Sequence, residues 1–167
     1  FGIIKLIKHM NNAGMLISGG GTLIQDTTST KSLIYYLAVI RLAIRRGVKV
    51  MLYSNGIGPL RNEVNIRRAG RVLNDVDVIT LRDPESRGEL TKLGITKPQI
   101  AVTADPVFGI EDYNRSAGRS ILNMFGVPES KRTMVVSVRK TRDTNQAIEA
   151  TLARLCDYAT EKYNCAV

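Results

Sequence analysis

Over residues 1–10, Ile3, Ile4, Leu6, Ile7 and Met10 recur with helical spacing, and Lys5, Lys8 and His9 fall between them. MLIS at 15–18 then reads as a buried strand running into three glycines. Leu33, Leu37, Ile40 and Ile44 mark one face of a helix capped by Ser29 or Thr30. Arg45 and Arg46 sit at the negative end of its dipole, and Gly47 ends it. VKVMLY at 48–53 reads as a second strand. A helix over 62–74 follows, with Val64, Ala69, Val72 and Leu73 inward and Arg67, Arg68 and Arg71 on a solvated face. VDVITL at 76–81 is a third strand. Asp83 and Pro84 then open a helix that closes at Leu93-Gly94, and residues 99–103 form a fourth strand. The pattern weakens from 107 to 131, with one short helix around 120–125 and a polar connector over 128–132. MVVSV at 134–138 predicts a strand, and a helix over 144–163 packs through Ile148, Leu152, Leu155 and Tyr158.

Strands alternating with helices across short connections predict an α/β, Rossmann-like parallel sheet. Residues 1–130 form an N-terminal domain with its connector, incomplete at its start. Residues 131–167 open a second α/β unit and are too few to complete it. Phe1 lies inside a helical pattern and Val167 inside an apolar one, so the chain reads as truncated at both ends.

Composition narrows the class. Lys and Arg number 24 against 15 Asp and Glu, a net charge of +9 that favours anionic partners. Nucleic acid fits poorly, because aromatics are 5% of the chain, Trp is absent and no basic helix carries interleaved aromatics. Cys156 and Cys165 belong to no CxxC and no Cys/His cluster, which argues against structural zinc or a disulfide scaffold and for reduced, cytoplasmic thiols. His9, the only histidine, reads as a surface residue and makes no metal site alone. No apolar run reaches the ~20 residues that span a bilayer.

Candidate chemistry lies where strands end. Gly19, Gly20 and Gly21 let backbone N–H groups approach an anion, although a solvent-facing turn explains them equally. Gly56 and Gly58 form a second glycine loop after the second strand; in a parallel sheet both loops share the carboxyl edge, where such sheets bind ligands. Arg61 emerges from that loop. Arg82 ends the third strand with no capping duty, placed for a phosphate or carboxylate. Asp105 serves either as a turn former or as a site residue that orients an arginine or binds a sugar hydroxyl. Ile24 occupies the third glycine position of G-x-G-x-x-G, and Gly-Lys-Ser/Thr is missing, so neither the dinucleotide fingerprint nor a Walker A loop is present.

Taken in order, SGGGTLIQD, the pair Tyr35-Tyr36, NGIGP, ITLRDPES, TADPVF and VVSVR resemble the polysaccharide pyruvyl transferase family, especially its CsaB-type bacterial cell-wall members. The resemblance runs from about residue 15 to residue 139. It implies a GT-B-like architecture of two Rossmann-like domains across a cleft, and transfer of pyruvyl from phosphoenolpyruvate onto a sugar as a ketal. The acceptor would be a lipid-linked or polymeric glycan of a secondary cell-wall polymer or exopolysaccharide, whose pyruvylation serves surface-layer anchoring. Gly19 to Gly21 and Thr22 would shape the cleft wall, Gln25 and Asp26 would support it, and Arg82 and Arg139 would meet the donor's anionic groups. No metal or other cofactor is implied. The family's Gly-x-Asn-x-Gly-Asp loop is not found here, and its general-acid histidine is expected beyond residue 167, so these 167 residues are expected not to catalyse alone. The alternatives are a GT-B glycosyltransferase using a nucleotide sugar and a non-catalytic carbohydrate-binding module. The charge also fits a cytoplasmic enzyme making peripheral contact with an anionic membrane.

Overall fold

The computed structural model describes residues 3–111, 113–138 and 146–167, so Arg139 lies outside the described residues. The chain divides into two compact units, Phe1–Glu111 and Asp112–Val167, whereas the boundary expected from composition falls at 130.

The first unit is α/β and Rossmann-like. Helix α1 (Ile3–Met10) precedes strand β1 (Met15–Gly19), followed by α2 (Thr30–Arg45), β2 (Lys49–Asn55), α3 (Glu63–Leu73), β3 (Val78–Leu81), α4 (Pro84–Lys92) and β4 (Gln99–Val102). The four strands are parallel in the order β1-β2-β3-β4. Right-handed crossovers stepping in one direction put α2, α3 and α4 on the same side of the sheet. The burial pattern agrees. Val50 and Leu52 of β2 and Ile79 and Leu81 of β3 are fully buried against Leu33, Leu37, Ile40 and Ala43 of α2, Ala69, Val72 and Leu73 of α3 and Leu90 of α4. Met10 of α1 joins that core.

Side-chain oxygens cap the helices where the sequence places them. Ser29 accepts from the Ser32 N–H, Asn62 from the Val64 N–H and Asp83 from the Ser86 N–H at 2.7 Å.

Three expectations change. The first strand is an edge, and Met15 and Ile17 are 50% and 61% exposed, because within the described residues of this unit no element covers the second face of the sheet. On α3, Val64 is 44% exposed and Asn65 is buried in its place, for a reason that belongs to the site below. The third and fourth strands begin or end one or two residues short of the apolar runs that mark them.

In the second unit, α5 (Arg115–Met124) starts earlier than expected, because Asn114 caps it through the Ala117 N–H. MVVSV does not form a strand. The pairing here is β5 (Arg132–Thr133) with β6 (Cys165–Ala166), in parallel, extended by one bond from the Met134 N–H to Ala166 O. Past Met134 the backbone finds no ladder partner among the described residues, and Val135 and Val138 are exposed. Helix α6 (Gln146–Tyr163) leaves Ile148, Leu155 and Tyr158 between 44% and 48% exposed, and Ala159 is its one buried residue. No helix of the described residues is long and apolar enough to cross a membrane.

Candidate functional site

Beyond the ends of β1 and β2 the backbones keep pairing. The Gly20 N–H reaches Tyr53 O at 3.4 Å, the Gly56 N–H reaches Gly21 O at 3.0 Å, and the Gly58 N–H reaches Ile24 O at 2.7 Å. Ile24 and Ile57 form a bridge, and the Asp26 N–H closes the series on Pro59 O at 3.4 Å. The two glycine loops therefore lie side by side at the carboxyl edge of the sheet, where ligands bind open α/β sheets. Gly20 and Gly21 hold positive φ of 82° and 63°, open to glycine at little cost, and nothing stands within 4 Å of where a Cβ would point. The N–H groups of Gly21 and Thr22 have no acceptor among the described residues, so they are available to a ligand.

Gly56 is buried for a different reason. A Cβ there would lie 2.6 Å from Thr22 Oγ1 and 3.1 Å from Arg82 Nε and Nη2. Over this glycine the Arg82 Nη2 donates to Thr22 Oγ1 at 3.0 Å. Nη1 donates to Asp105 Oδ2 at 3.3 Å, and Nε stands 3.5 Å from Asp83 Oδ2. Arg82 thus ties together the loops after β1, β3 and β4. Asp105 fills both roles open to it, since its other oxygen accepts from the Val107 N–H at 3.2 Å.

This arrangement alters the electrostatics expected of the site. One guanidinium faces two carboxylates, so the cluster is not positive by itself, and an arriving anion must compete with Asp83 and Asp105 for Arg82. The Asp83 carboxyl is held below its ordinary range, chiefly by its hydrogen bond with Ser86 and, against some burial, by the Ser86 N–H and the Arg82 charge. It therefore remains an anion through neutral pH.

Asp26 staples the loop after β1 to α3. Its carboxylate accepts from the Arg61 N–H at 2.9 Å, the Asn62 N–H at 3.1 Å and Asn65 Nδ2 at 2.9 Å. It occupies the positive end of α3 that an external anion would otherwise use, and it explains why Asn65 sits in an interior position. Burial raises the Asp26 pKa, but the Asn65 bond, the two backbone N–H groups and the Arg61 charge together lower it. Gln25 accepts from Thr27 at 2.5 Å and from the Thr28 N–H at 3.1 Å, so it holds its own turn. The Arg61 side chain is exposed, and its charge acts on Asp26. Gly58, at φ 76°, packs a Cβ position 3.0 Å from Glu89, a wall of the loop facing α4.

Two scaffold residues escape a reading based on motifs. Ser54 adopts φ 50° while buried; its hydroxyl donates to Ala104 O and its N–H to Thr80 Oγ1 at 2.7 Å. Such a conformation costs about 1–2 kcal/mol outside glycine, and it coincides with the irregular β2–β3 register between Leu52 and Asn55. Asn55 turns inward as a result, its side-chain amide donating to Ser18 O at 2.8 Å, with its Oδ1 buried and unpartnered. The sequence signal for both is polarity at the end of an apolar strand, where a simple strand would place a buried hydrophobe.

The site residues of the first unit thus fall into groups. Thr22, Gly56, Arg82 and Asp105 converge on one spot, Gly19 to Gly21 and Gly58 form the paired loops that carry it, Gln25 and Asp26 act as framework, and no contact brings the Arg61 side chain to it among the described residues. Among the described residues no three His, Cys, Asp or Glu side chains stand together as a metal site. No curated protein and no solved structure matches the chain. The family model for polysaccharide pyruvyl transferase, however, matches residues 2–166, nearly the whole sequence. This α/β chain, with its glycine loops zipped at the carboxyl edge of a parallel sheet, belongs to the polysaccharide pyruvyl transferase family.

Proposed function

We propose that the protein transfers the pyruvyl group of phosphoenolpyruvate to two hydroxyls of a polysaccharide sugar. The observation that carries this reading is the Thr22–Gly56–Arg82–Asp105 cluster, which joins the four strand-end loops around free N–H groups in a chain of this family. The donor bears a phosphate and a carboxylate, groups that backbone N–H donors and arginines bind well. Gly21 and Thr22 offer those N–H groups, Arg82 exchanges Asp105 for a donor oxygen, and Arg61 and Arg139 complete the anionic contacts. Proton transfer to the terminal enol carbon makes the central carbon electrophilic. Two C–O bonds then form to the sugar as the bond to phosphate breaks; one hydroxyl proton balances the new methyl group and the other leaves with phosphate. No metal or organic cofactor is required. The acceptor is a lipid-linked or polymeric glycan, met on the cytoplasmic side by an enzyme of GT-B-like architecture.

Thermal denaturation with ligand tests this. Phosphoenolpyruvate at 100 times its Kd stabilises the folded state by about 2.7 kcal/mol, and Arg82→Gln removes that shift. A shift with a nucleotide-diphosphate sugar and none with phosphoenolpyruvate would replace the reading with glycosyl transfer. No shift with either would favour a non-catalytic binding module.

A further inference from the structure

The first 62 residues contain eight Lys and Arg and a single acid, Asp26, which is spent inside the fold. Helices α2 and α3 both return between parallel strands, so they run side by side in the same direction. Each carries the same order of side chains along an outward stripe. On α2 the exposed Ile34 precedes Arg41 and Arg45; on α3 the exposed Val64 precedes Arg68 and Arg71. The arginines meet across the helix pair. Arg41, Arg45, Arg67 and Arg71 line one open groove of about 790 Å³, and Arg41, Arg68 and Arg71 line a second depression beside Ile34.

Internal pairing does not account for this charge. Arg67 has Glu63 at 3.4 Å, but Arg41, Arg45, Arg68 and Arg71 have no acidic partner among the described residues. Arginines three and four residues apart on one helix repel each other. A helix C-terminus justifies Arg45 and Arg71, which complement the dipole, and leaves Arg41 and Arg68 unexplained.

We propose that the α2–α3 face is a docking surface for an anionic lipid bilayer. Charge complementarity names an anionic partner, and the exposed aliphatic side chains select a bilayer among anions. Ile34 and Val64 gain nothing against a phosphodiester backbone, whereas they bury between headgroups. The apolar ends of both stripes are the helix N-termini, which lie toward the carboxyl edge of the sheet. A bilayer on this face therefore holds the Thr22–Arg82 edge close to lipid. That benefit rests on the proposed transfer to a lipid-linked acceptor; the binding itself does not.

Flotation of the protein with phosphatidylglycerol/phosphatidylcholine vesicles, against pure phosphatidylcholine, tests the proposal. The protein floats only with the anionic vesicles, and added NaCl weakens the association. Replacing Arg41, Arg45, Arg68 and Arg71 together by Gln lowers partitioning ~1,000-fold, while Arg87→Gln, Lys92→Gln, Arg132→Gln and Arg154→Gln together change it only a few-fold. Thermal melts confirm that both variants fold. Failure to float, equal losses in the two variants, or tighter binding to an RNA oligomer than to the vesicles at the same salt would overturn it. The melting shift with phosphoenolpyruvate persists in the α2–α3 variant, so docking and donor binding fail separately.

Discussion

Gly56 illustrates how single residues set the site. Its missing Cβ makes the room in which the Arg82 guanidinium reaches Thr22, sixty residues away in sequence. Gly56→Ala therefore destabilises the protein by about 1–3 kcal/mol in urea denaturation. Gly14→Ala, with open space and no positive φ, stays within about 0.5 kcal/mol. Asp26 makes a second residue-scale prediction. Its pKa is lowered on folding, so the stability it contributes is present above its ordinary value of 3.8 and is lost as pH falls below that, through the folded value. Asp26→Asn costs about 2 kcal/mol at neutral pH. The gap between it and the natural protein closes as pH drops below 3.8, measured by urea denaturation at a series of pH values. The glycines and Asp26 stand out in the sequence by type. What each is for depends on partners tens of residues away, and no local pattern encodes those.

At the scale of elements, local signals and long-range packing part company. Helix α2 was legible down to its cap, because apolar spacing, Ser29 and Gly47 all act within the segment itself. Ser29→Ala accordingly costs about 1 kcal/mol in thermal or urea unfolding; an unchanged midpoint would mean that the cap is dispensable. Apolar runs say that burial is favourable and do not say against what. MLIS is therefore an exposed edge, MVVSV finds no ladder partner past Met134 among the described residues, and α6 presents half-exposed Leu155 and Tyr158. Asn65 shows the converse: an interior helix position is polar because the Asp26 carboxylate needs a donor there. The paired extension of β1 and β2 into their glycine loops was legible only as a consequence of the parallel sheet, once two strands were each followed by glycines.

Across the whole molecule, charge is unevenly distributed. The net +9 reads in sequence as a taste for anions, without saying where. In the first unit the carboxyl-edge cluster is balanced by Asp83 and Asp105, and the unpaired arginines of α2 and α3 lie along the helical face. An anionic donor thus has two candidate destinations, and only one of them belongs to a catalytic account. The decisive measurement is a titration of ¹⁵N-labelled protein with phosphoenolpyruvate, followed through amide and arginine Nε resonances. The account predicts saturable shifts at Gly21, Thr22, Gly56 and Arg82, with Arg41 and Arg71 unmoved. Shifts confined to the α2–α3 arginines, or none at the glycine loops at saturating donor, would contradict it.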